Sequence, residues 1–179
     1  MTTTNANADC SFLSKFNGRV EPQARTQYPS LENLADGSYD FTILTARIKE
    51  TMNSRDHILE CECRCEQTAQ NVPLSWFIET DERLARAMGD LGTLGFAVAT
   101  WGKPGGPPLE KAIPDAVANL PGKRFKGTKK TTTGKANGKT YHNLYVNSAL
   151  PGVDPKTLPD PNTPAPAGPA PIQPGESPF

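Results

Sequence analysis

From Ala116 to Val153 the chain contains no aspartate and no glutamate. The 179 residues as a whole carry 19 basic and 19 acidic side chains, so this absence is local. It excludes neutralisation of the segment by its own sequence neighbours. The segment holds seven cations: Lys123, Arg124, Lys126, Lys129, Lys130, Lys135 and Lys139. Long apolar runs are also missing. None approaches the ~20 residues of a membrane helix, and mean hydropathy is −0.53. The opening MTTTNANADCSF has neither the basic nor the apolar region of a secretory leader, so the expected location is cytoplasmic.

Histidine is scarce, with only His57 and His142, and no Ser-His-Asp arrangement can be assembled from them. Four cysteines occur, three of them as Cys61, Cys63 and Cys65. Alternate positions on a strand share a face, and three of them spread over ~13 Å. That spacing suits neither mutual disulfides nor the paired knuckles of structural zinc. A reduced compartment and a buried strand face are the expectation, with no metal and no cofactor. The glycine-rich GKPGG at 102–106 lacks the spacing of a phosphate cradle. Glu60, Glu62 and Glu66 with Arg64 read as one solvated strand face. Nothing here assembles a catalytic constellation, and the chain is not expected to be an enzyme.

What is present has strand periodicity. Tyr39, Phe41, Ile43 and Thr45 alternate with polar or small residues, and the run to Lys49 is long enough to bend and serve two parts of a sheet. HILECECRCE predicts a second strand, with His57, Leu59 and the three cysteines on one face and Ile58 with the charges on the other. Val72–Glu79 predicts a third, with Trp76 outside and Phe77 inside. Thr80 is placed to cap a helix whose Leu84, Ala87, Met88 and Leu91 form one apolar stripe, stopping at Gly92. A helical turn is expected from Pro114 to Leu120. Strands at 123–133 and 139–149 flank a GKANG turn. Residues 1–35 read as an arm docked loosely on a domain at 36–150. Residues 151–179, with 10 prolines in 29, read as an extended tail.

This order, together with LADGSYDFTILTARIKET, WFIETDERLARAMGDLGTLG, LPGKRFKGTKK and YHNLYVNS, resembles a family of phage-encoded, OB-fold single-stranded-DNA-binding proteins over roughly Leu34 to Ala149. The resemblance implies a mainly β fold: a five-stranded Greek-key barrel with a helix between strands three and four. It implies sequence-independent binding of single-stranded DNA, with RNA left open, in phage or mobile-element replication and recombination, within the host cytoplasm. The seven cations suit a phosphate backbone, and Phe125, Tyr141, Tyr145, Trp76 and Tyr39 offer faces for base stacking. Arg47, Lys49 and Arg55 at the first hairpin are further candidates. The tail PAGPAPIQPGESPF resembles that of bacterial single-stranded-DNA-binding proteins, which ends in an acidic tip with Pro-Phe. Glu176, Pro178 and Phe179 would then dock replication or recombination proteins. The tip has one acid where the bacterial family has several. An alternative is an OB-like interaction module that recruits or inhibits a recombination or repair enzyme. Homo-oligomerisation stays open.

Overall fold

The computed structural model describes residues 10–20, 31–51, 56–135 and 137–158. Within them the chain runs as strands β1 (Gly37–Glu50), β2 (His57–Cys65) and β3 (Asn71–Phe77), helices α1 (Asp81–Thr93) and α2 (Leu109–Ala118), then strands β4 (Arg124–Thr133) and β5 (Thr140–Leu150). The five strands form one antiparallel open sheet in the order β3-β2-β1-β4-β5. No ladder joins β3 to β5 among the described residues. Both packed helices lie between β3 and β4 in sequence, and α1 packs against both edge strands.

As its length suggested, β1 serves two parts of the sheet. Gly37 to Thr42 pair with β4, and Phe41 to Glu50 pair with β2. The register shifts between Ile43 and Thr45, where Ile43 and Leu44 are both buried. One inserted residue breaks the alternation and bends the strand, which lets a single strand turn from one neighbour to another. Inside the bend Phe41 stacks on Phe125, with centroids 5.1 Å apart. Cys61, Cys63 and Cys65 lie buried on the same inner face, as the alternation required.

The third strand has the opposite phase from the one expected. Trp76 is paired with Leu59, is only 3% exposed, and donates its indole N–H to Asp90 Oδ2 at 2.6 Å. Phe77 takes the outer face beside Ile58, and the Arg83 guanidinium covers its ring at 5.2 Å. Ile58, assigned to the charged face, is buried beside Phe77. The whole-strand pattern decides the phase. Val72, Leu74, Trp76 and Ile78 face in, while Asn71, Pro73 and Ser75 face out.

Helix α1 starts as expected, with Thr80 Oγ1 accepting from the Arg83 N–H. It ends later. Gly95, at φ +93°, makes the left-handed turn, with Gly95 N–H to Gly92 C=O and Phe96 N–H to Leu91 C=O closing it. Helix α2 begins five residues before Pro114. Asn17 supplies its cap, with Oδ1 accepting from the Leu109 N–H at 2.8 Å. The segment holding Asn17 is therefore not loosely docked. A 3₁₀ turn at Ser11–Phe16 buries Leu13 and Phe16, and Val20, Leu31 and Leu34 join the same core. Leu13→Ala is accordingly expected to destabilise the fold by about 2–5 kcal/mol in urea unfolding, the range for a large core truncation. A loss below about 1 kcal/mol would return the segment to the status of a peripheral arm.

Candidate nucleic-acid interface

β4 and β5 make a hairpin whose register assigns every cation of the acid-free segment to a face. Directly opposed residues share a side of an antiparallel pair. Phe125, Gly127 and Lys129 on β4 point inward with Leu144 and Val146 of β5. Lys126, Thr128, Lys130 and Thr132 point outward, opposite Ser148, Tyr145, Asn143 and Tyr141. Gly127 permits this closeness: a Cβ there would stand 2.9 Å from both the Phe125 ring and the Tyr145 carbonyl.

Seven cations were expected to act together, and they separate into three groups. Lys129 is 3% exposed and faces the interior, against the expectation that it contacts a ligand. Its ammonium donates to Asp36 Oδ1 at 2.7 Å and Thr131 Oγ1 at 2.6 Å. Asp36 also accepts from the Thr131 N–H and hydroxyl, and Thr131 Oγ1 lies 3.2 Å from His142 Nδ1. The Lys129 hydrogen bond, then those of Thr131, hold the Asp36 carboxyl far below its ordinary 3.8. Arg124 is engaged too. Its Nε and Nη2 each donate to Glu66 at 2.6 Å, and Nη1 donates to the Pro151 carbonyl. This bidentate pair lowers Glu66, aided by the Thr42 hydroxyl, and raises Arg124. Lys123 lies over the Phe96 ring at 5.1 Å.

The third group is Lys126, Lys130, Lys135 and Lys139. All four are exposed, and none makes an ion pair among the described residues. Lys126 stands across the ladder from Asp40 without pairing to it. Tyr141 is half-buried on the same outer face, and its hydroxyl accepts from Asn137 Nδ2 at 2.8 Å. Phe125 and Trp76 are core residues, so neither offers a face to a base.

The first hairpin is arranged differently. A groove of about 610 Å³ crosses β1, β2 and β3, with Arg47, Glu60, Glu62, Asn71, Pro73 and Pro121 among its walls. Arg47 and Lys49 both reach Glu60, each at 2.6 Å, and Asn71 donates to Glu62 at 3.0 Å. Burial pushes the Glu60 carboxyl up, but the Lys49 and Arg47 hydrogen bonds outweigh it and the net shift is downward. Two cations and two acids leave this face without net charge. Arg55 lies outside the described residues, as do Glu176, Pro178 and Phe179. Among the described residues no group of three or more His, Cys, Asp or Glu is placed to hold a metal ion. Burial raises the Cys61 and Cys63 thiols, which disfavours the thiolate. No helix among the described residues is long and apolar enough to cross a membrane.

No protein-family model matches the chain, and no curated protein matches it either.

Sequence reasoning found the four free lysines but missed the two internal pairs. Their acids, Asp36 and Glu66, lie 93 and 58 residues from their partners. Both acids have depressed folded values, so the stability they add is full above their ordinary 3.8 and 4.5 and is lost as pH falls below those values. Asp36→Asn is expected to flatten part of the fall in Tm between about pH 5 and pH 2. At neutral pH Asp36→Ala should destabilise more than Asp36→Ala with Lys129→Met, because the single change leaves a buried ammonium without its anion. Equal Tm for the two variants would remove the clamp from the account.

Proposed function

We propose that this chain binds single-stranded DNA with little regard for sequence, acting by charge and stacking and making or breaking no bond. The observation that carries this reading is the division of the cations. Arg47 and Lys49 on the first hairpin, and Arg124 at the start of β4, are held by their own carboxylates, whereas Lys126, Lys130, Lys135 and Lys139 stand exposed and unpaired among the described residues on a hairpin without an acid in its sequence. Unpaired lysines in a row suit a polyanion, since each phosphate contact releases condensed counterions. The strand order, with helices between β3 and β4, is compatible with an OB-type barrel, and that assignment belongs to this proposal. So do a phage or mobile-element origin, a role in replication or recombination in a host cytoplasm, and the docking of partner proteins by Glu176, Pro178 and Phe179.

Titration with oligo-dT at several salt concentrations tests the reading. Four lysine contacts at ~0.7 each give a slope of log K against log[salt] near −3. Lys126→Ala with Lys130→Ala should reduce it to about −1.4 in a domain with unchanged circular dichroism. Arg47→Ala with Lys49→Ala should cost less affinity than the lysine pair, because both cations are already neutralised by Glu60. A flat slope, tighter binding to duplex, or a larger effect from Arg47 and Lys49 would each overturn the assignment.

A further inference from the structure

The outer face of the β4–β5 hairpin has a regular order that the count of lysines does not show. Its rows are Lys126 with Ser148, Thr128 with Tyr145, Lys130 with Asn143, and Thr132 with Tyr141. Lysines fall on every second row along β4, and tyrosines fall on the intervening rows along β5. Same-face positions on a strand repeat every ~6.6 Å, so the lysines are ~13 Å apart, the tyrosines are ~13 Å apart, and the two series are offset by one row. Asn143, between the tyrosines, is 1% exposed and bonded to Thr132 Oγ1, while Tyr141 and Tyr145 are both partly exposed. Asn147 fills the bulge beside this face and bonds Thr128 Oγ1 at 2.6 Å.

We infer that a single strand lies lengthwise along this hairpin in a stretched form, with alternate phosphates on Lys126 and Lys130 and alternate bases stacked on Tyr145 and Tyr141. The inference rests on the proposed function and specifies its geometry. A row spacing of ~6.6 Å is about twice the 3.4 Å per nucleotide of a stacked duplex strand. A strand with stacked neighbours therefore does not match the rows, whereas an unstacked strand advancing about one nucleotide per row does. Phosphates then fall along β4 and bases along β5. Duplex is disfavoured because its bases present edges, not faces, to an external tyrosine. Sequence tolerance follows from the same contact, since every base has a face to stack.

The test compares oligo-dT with an abasic deoxyribose-phosphate oligomer of equal length, which keeps the phosphates and removes the bases. The wild-type protein should prefer oligo-dT by about 100-fold, ~10-fold for each tyrosine. Tyr141→Leu with Tyr145→Leu should bring that ratio near one with the salt slope unchanged. Tyr141→Phe with Tyr145→Phe should keep the ratio, because the rings remain. An abasic oligomer carrying a single 2-aminopurine gives an independent reading on wild-type protein, should the leucine variant not fold: with no neighbouring base to stack on in the free oligomer, its emission should be quenched on binding. Equal affinity of the wild type for the two oligomers, a ratio that survives in the leucine pair, or unquenched 2-aminopurine would each overturn the stacked-strand geometry while leaving salt-dependent lysine binding intact. Wild-type protein that binds neither oligomer overturns both readings.

Discussion

Phe41 and Thr42 are paired on both sides, with β2 through Cys65 and Arg64 and with β4 through Phe125 and Arg124. The sheet depends on these two positions. Inward, Phe41 stacks on Phe125, and outward, Thr42 donates to Glu66, which holds Arg124. A slip of one residue in the β1–β4 ladder would turn Phe125 to solvent and separate Arg124 from Glu66 at the same time. The apolar core and an ion pair thus enforce the same register from opposite faces. That register puts Lys129 inside and leaves Lys126 and Lys130 outside.

The division of charge follows from burial. Lys129 occupies an inward position next to the start of β1, where an unpaired ammonium would be costly, and Asp36 and Thr131 meet it there. Arg47 borders a groove whose wall holds the partly buried Glu60, and Lys49 reaches the same carboxylate, so both charges go to Glu60. The four lysines left over are exposed, and Asp40, across the ladder from Lys126, does not pair with it. They hold no ion pair among the described residues, so an external anion meets them without first breaking one. Affinity for a polyanion is therefore expected to concentrate at the hairpin and not in the deeper groove. Depth alone would have favoured the groove, and charge reverses the order.

The N-terminal segment gives a second example of distant residues completing one another. Asn17 caps α2 through the Leu109 N–H and also donates to Glu110, while the turn before it fills the core with Leu13 and Phe16. Lys15 reaches Glu79, which accepts from the His57 backbone N–H and is paired with its imidazole, and Phe12 stacks on that imidazole at 3.9 Å. The arm thus ties the ends of β2 and β3 to α2.

Much of this was legible in local pattern. Period-two alternation marked β1 and β2, the Thr80 cap and the Leu84–Leu91 stripe marked α1, and the gap in acids between Ala116 and Val153 marked the hairpin. These signals act over a few residues, because backbone geometry repeats every 2 or 3.6 residues whatever the rest of the chain does. What the sequence left open was phase and partnership. The inward Lys129, the Asn17 cap and the Arg124–Glu66 pair each depend on which distant strand or turn lies alongside, whereas the buried phase of Trp76 follows the Val72, Leu74 and Ile78 alternation of its own strand. Contacts separated by 58 to 93 residues leave no periodic trace, since only chain closure brings them together. The sequence by itself determined that a basic, acid-free hairpin exists. Only the tertiary structure decided which lysines remain available on it, because burial and ion pairing are set by neighbours in space.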